Sequence, residues 1–87
     1  MAAGRKVNFE ALAPRVEKVL RVEFPNDTID IAEGHMGRPH VKIVSKRFNN
    51  LSEREKQQIV WDLLREGLGP EAQDVAWVLP FGTDELP

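Results

Sequence analysis

Apolar residues in this chain recur with two different periods, and the change from one to the other marks out its elements. From Phe9 to Phe24, the residues Phe9, Leu12, Val16, Val19 and Leu20 return at spacings of three and four, lining one face of an α-helix. Asn8 is placed to cap its start. Pro14 brings no N–H donor, so either the helix kinks there or Pro14 sits in its first turn. Pro25 stops the helix and Asn26-Asp27 supplies a turn. The period then falls to two: Thr28 to Ile31 alternates, with Ile29 and Ile31 on one face of a half-buried strand. Gly34-His35-Met36-Gly37-Arg38-Pro39 is a loop by composition. Val41 to Ser45 is a second strand, long enough to pair with the first as an antiparallel hairpin.

Ser52-Glu53-Arg54-Glu55 fits a capping box, with the Ser52 hydroxyl and the Glu55 carboxylate each serving the other's backbone N–H. It opens a second helix that runs to about Glu66, with Ile59, Val60, Leu63 and Leu64 as its buried stripe. Gly67 is read as the left-handed residue that ends it. Val75 to Leu79 is a third strand, apolar throughout and expected to be covered on both faces. Pro80, Gly82 and Pro87 mark an irregular end. The order α-β-β-α-β predicts an α+β fold: a three-stranded mixed sheet covered on one face by two helices, its second and third strands parallel across a right-handed crossover. Residues 1–7 and 83–87 are expected to be tails around a single domain spanning 8–82.

A length of 87 residues suits one domain with a thin stability margin. Hydrophobic residues at 41% and charged residues at 30% argue for a packed core and against disorder. A net charge of -2 gives no bulk attraction to nucleic acid or acidic lipid. The chain has no cysteine, which excludes disulfides, thiolate ligands and thiol nucleophiles within it and suits a reducing cytoplasm. No apolar run approaches the roughly 20 residues of a membrane span, and no signal-peptide core follows Arg5 and Lys6.

The candidate chemistry is concentrated between residues 34 and 56. His35 and His40 flank the glycine-containing loop and are the first candidates for a metal, although two imidazoles do not close a four-coordinate site. No acidic residue occurs from His35 to Arg47, so Arg38, Lys42, Lys46 and Arg47, extended by Arg54 and Lys56, form a basic stretch that could meet phosphates. A GXXG clamp of the kind that grips nucleic acid between two helices is not found there; Gly34-His35-Met36-Gly37 spells the pattern between two strands instead. No aromatic residue interleaves the basic stretch to stack bases. Trp77 reads as core. Trp61 borders the buried stripe of its helix, as core or as an interface anchor, and Met36 at the loop tip is a small apolar contact point. No phosphate-binding glycine loop or nucleophile–base relay is evident, so a binding module is expected and not an enzyme.

The residues Val41-Lys42-Ile43-Val44-Ser45-Lys46-Arg47-Phe48, followed by Asn50-Leu51-Ser52, together with Leu20-Phe24-Pro25 and the helix positions Val60 and Leu64, resemble the BolA-like family and its relatives of KH-type topology over roughly residues 16–86. Asn50 stands where that family often has glycine. The resemblance implies a regulatory adaptor, linked to transcription, cell shape and stress response, that partners a monothiol glutaredoxin and can share a [2Fe–2S] cluster with it. It implies one cluster ligand at His35, a structural hydrogen bond at His40, and a second ligand at the position of Asp74. There the family carries an imidazole and this chain a carboxylate, a harder ligand than iron–sulfur clusters use. The family's Arg-His-Arg helix signature reads Lys56-Gln57-Gln58 here. The expected partner surface is therefore His35, Met36, Arg38, Trp61 and Asp74 on a monomer or weak homodimer, with nucleic-acid binding through the basic stretch as the alternative.

Overall fold

The computed structural model describes residues 6–86. Their order is α1 (Phe9–Glu23), β1 (Thr28–Glu33), β2 (Pro39–Val44), α2 (Glu53–Leu68) and β3 (Trp77–Phe81), joined by short 3-10 turns at His35–Gly37, Lys46–Phe48, Gly69–Asp74 and Thr83–Glu85. β2 is central: β1 pairs with it antiparallel and β3 parallel. This is the α+β arrangement expected from the two periodicities.

The helix starts follow from local chemistry. The Asn8 side chain accepts from the Ala11 N–H at 3.2 Å. Val7 before the cap and Leu12 inside the first turns are both buried, in the positions of a hydrophobic staple. Val7 also donates its N–H to the Met36 carbonyl at 2.7 Å, so the residue expected to end a tail belongs to the packed body. α1 continues through Pro14, which lies beyond its first turn on an exposed face. At α2, both halves of the capping box form: Glu55 N–H to the Ser52 hydroxyl at 3.1 Å, and Ser52 N–H to the Glu55 carboxylate at 2.8 Å. Those bonds hold the Glu55 carboxyl below its ordinary pKa.

The end of α2 corrects the sequence reading. Gly67 lies inside the helix, and Gly69, with φ of +63°, ends it. Gly67 is needed for a different reason: a methyl group there would meet the Val19 methyls at 2.5 and 2.6 Å, so its bareness lets α1 and α2 touch.

Strand alternation divides the sheet into two faces. Ile29 and Ile31 of β1, Val41 and Ile43 of β2, and Val78 and Pro80 of β3 stand in register facing the helices. They meet Val16, Leu20 and Phe24 of α1 and Val60, Leu64 and Leu68 of α2, in a core where Val16, Leu20, Val41, Ile43, Val60 and Leu64 are each 0% exposed. Burying side chains of this size contributes about 1.5–3 kcal/mol apiece before chain entropy is set against it. Phe48 closes the end of the core against Phe24, their rings 5.3 Å apart, and Arg47 lies over the Phe24 ring at 4.8 Å. Asn50 turns the chain into α2 with φ of +65°, a left-handed conformation that asparagine tolerates better than most residues.

The last segment is also part of the body. Lys56, on the first turns of α2, is 2% exposed and places its ammonium 2.8 and 2.9 Å from the two Glu85 oxygens and 3.2 Å from Glu53. Glu85 in turn accepts the Gly82 N–H at 2.6 Å, and Asn49 bonds to Thr83 at 3.0 Å. Residues 83–85, expected as tail, are clasped to α2 by an ion pair. The Glu85 carboxylate holds the Lys56 pKa above its ordinary value, and Lys56, aided by the Gly82 N–H, holds that of Glu85 below.

Candidate functional site

Two surfaces bring chemistry-bearing residues together. The first is the end of the sheet where β1 gives way to β2. The His35–Gly37 turn is held by Met36 in a left-handed conformation, φ +58°, ψ +28°, with its carbonyl fixed by Val7. His35 is exposed at this turn. Arg38 then reaches across to the segment preceding β3, donating to the carbonyls of Gln73 at 2.9 Å, Asp74 at 3.3 Å and Val75 at 3.5 Å. A guanidinium fork spread over successive carbonyls fixes both segments, because each carbonyl would otherwise need its own water. Trp61 adjoins the same region: with Arg65, Gly69, Pro70, Ala72 and Gln73 it lines a surface cavity of about 280 Å³. Its indole N–H donates to Gln57 at 3.0 Å, and Gln57 donates to the Val78 carbonyl of β3 at 2.8 Å, so the half-buried ring is anchored. The five residues expected at a partner surface thus lie on three segments, the 34–38 turn, residues 72–75 and the middle of α2, cross-linked by Arg38 and the shared cavity.

The second surface is the face of the sheet that no helix covers. Its cross-strand rows are Ala32–His40–Trp77, Asp30–Lys42–Leu79 and Thr28–Val44–Phe81. Trp77 is 42% and Leu79 41% exposed. The His40 imidazole stacks on the Trp77 indole, centroids 4.0 Å apart and planes 30° from parallel. It also lies over Gly34, where any Cβ would collide with it. Lys42 places its ammonium 5.6 Å from the centre of the Phe81 ring. β3 is therefore covered on one face, not two, and Trp77 is a surface residue, not core. It runs two residues later than the sequence suggested, and its phase is set by pairing His40 with Trp77.

The remaining sequence candidates separate. His35 and His40 are divided between the exposed turn and the sheet face, and among the described residues no group of three or more His, Asp or Glu side chains is gathered to hold a metal ion. Of the basic stretch, Lys56 is buried in its ion pairs and presents no charge to a phosphate. Arg38 is committed to carbonyls, and Arg47 donates to the Glu23 carbonyl at 2.7 Å and its carboxylate at 3.2 Å. Lys42, Lys46 and Arg54 remain exposed. The sequence reading missed the alignment of Trp77 and Phe81 with His40 and Lys42. Its only sequence signal is the shared alternation of two strands some 37 residues apart, which carries no register.

A shared iron–sulfur cluster can be tested against the donors. The chain has no cysteine, and this end of the sheet offers one exposed imidazole, His35, with a carboxylate at position 74. One imidazole and one hard oxygen do not fit a soft cluster held at two positions by this chain. Among the described residues, no helix is long and apolar enough to cross a membrane. No family model, no curated protein and no solved structure matches this chain.

Proposed function

We propose that this chain is an adaptor of the BolA-like kind, which acts by docking a protein partner, a monothiol glutaredoxin, on the end of the sheet formed by the 34–38 turn, residues 72–75 and Trp61. The observation that carries this reading is the Arg38 guanidinium spanning the carbonyls of Gln73, Asp74 and Val75. It fixes the relative position of the 34–38 turn and of the 72–75 segment, which Ala72 and Val75 anchor in the core, so the backbone at this end is preformed before any partner arrives. Two further features favour the BolA-like reading. The chain has the α-β-β-α-β order with a central β2. Asn50, at the family's frequent glycine position, holds φ of +65°.

Because the donors here do not suit a cluster bound by two residues of this chain, the contact is one of surface complementarity. The exposed His35 and Met36 backbone turn would be read beside the Trp61 cavity. Isothermal titration with a recombinant monothiol glutaredoxin, apo and cluster-loaded, tests it. A complex with at least one form, weakened at least tenfold by Arg38→Gln and by Trp61→Ala, is the expected result. Failure of both forms to bind would remove the proposal.

A further inference from the structure

The uncovered sheet face has a chemistry that the docking end does not use. Across it, charge is sorted by strand. β1 contributes Asp30 beside Ala32 and Thr28, β2 contributes His40 and Lys42, and β3 contributes Trp77, Leu79 and Phe81 with no charge at all. The 3-10 turn that follows β2 begins with the exposed Lys46, two residues past Val44. The result is a band of aromatic and apolar side chains on β3 flanked by Lys42 on β2, with Asp30 across from Lys42 on β1 and Lys46 in the turn that follows β2.

A second copy of the chain is a poor occupant of such a face. Laid face to face about an axis along the strands, it sets the acidic β1 against the aromatic β3. About an axis across the strands, it sets β1 against β1. Neither pairs opposite charges, and both bring Lys42 near its own copy. A single-stranded nucleic acid is matched on both counts: bases stack on aromatic rings without regard to sequence, while phosphates follow the adjoining cations. Trp77 and Phe81 stand four residues apart on one face of β3, about 13 Å at the usual strand rise, a span one extended strand can cross. His40 fixes the Trp77 indole by stacking and still leaves that residue 42% exposed, so little ordering entropy remains to be lost when a base adds to it. Duplex is excluded by the same features, since its bases are not free to stack on a flat sheet.

We infer that the open face of the sheet binds single-stranded nucleic acid, with bases stacked at Trp77 and Phe81 and the phosphate backbone running along Lys42 and Lys46. This face adjoins the proposed docking end where His40 lies over Gly34, but its ligand and its test are different, so it stands or falls independently of that reading. The probes are fluorescein-labelled ten-nucleotide oligouridine and oligothymidine, with a ten-base-pair duplex as comparison, followed by anisotropy at low salt. Saturable binding of a single strand is expected, at least tenfold tighter than the duplex. Trp77→Ala is expected to weaken it at least tenfold. Trp77→Phe, which keeps a ring and guards against loss of folding, should weaken it about threefold or less. Lys42→Ala should lower the slope of log affinity against log salt by about one. In a Trp61→Phe chain, where Trp77 is the sole indole, its fluorescence should be quenched on binding. Absence of binding by either oligomer, equal affinity for duplex, or binding untouched by Trp77→Ala and Lys42→Ala would overturn the inference. So would amide chemical-shift changes on this face with glutaredoxin and none with an oligomer.

Discussion

The two faces of one small sheet are built from the same strands and could hardly differ more. Toward the helices stand Val41, Ile43 and Val78, almost without exposure; one residue along, facing away, stand His40, Lys42 and Trp77, with Trp77 and Leu79 about two-fifths exposed. The inner residues are explained by burial alone: aliphatic, close-packed and interchangeable in kind. The outer ones are not. A stacked imidazole–indole pair and an ammonium near a phenyl ring each contribute on the order of 1 kcal/mol or less at an exposed site, and a threonine or serine there would be safer against aggregation. Inner side chains hold the fold, whereas the outer face carries chemistry that stability does not require.

This contrast can be pressed by substitution. The largest loss is expected on the inner side: Leu64→Ala, at a position with 0% exposure, should cost about 2–5 kcal/mol by urea denaturation. Gly67→Ala should cost about 1–2 kcal/mol, because the new methyl strikes Val19 and the gain in helix propensity offsets only part of that. Val19→Ala in the same chain should restore part of the loss, which a purely local helix effect would not allow. Lys56→Met should change stability at neutral pH little, since a flexible apolar chain replaces a buried ammonium whose partners stay near water. Its signature is in acid. Glu53, held low first by Gln57 and then by Lys56, and Glu85, held low first by Lys56, contribute stability that is present above their unfolded pKa near 4.5 and lost as pH falls through the folded values. Removing Lys56 should flatten that acid limb in a pH series of denaturation curves. The smallest effect belongs to the outer face, where Lys42→Ala should shift stability by less than about 0.5 kcal/mol.

The parts of this structure legible in the sequence are those set by neighbours in the chain. The capping box at Ser52 and Glu55, the Asn8 cap and the three-and-four spacing of α1 involve residues within one or two turns of each other. Gly67 reads as a helix end because glycine commonly ends helices, whereas its role here is clearance for Val19 on another helix, which the local sequence does not show. Trp77 was misread because Trp77-Val78-Leu79 is apolar at every position, so alternation has no phase until β2 supplies one. Lys56 read as a surface cation because its carboxylate partner lies 29 residues away, on a segment with no strong pattern of its own. The role of Arg38 as the cross-link between the 34–38 turn and residues 73–75 depends on backbone carbonyls, which sequence does not display.

The division between the faces is tested most directly by placing the same polar residue on each side of the sheet. Ile43→Thr and Leu79→Thr, compared by urea denaturation under one set of conditions, place the same β-branched strand former at both positions. Ile43→Thr should lose about 2–4 kcal/mol, from missing methylenes and a hydroxyl buried in the core. Leu79→Thr should lose less than about 1 kcal/mol. Equal losses at the two positions, or a greater loss at Leu79, would mean that the outer face is held in the fold as tightly as the core, and the account would be wrong.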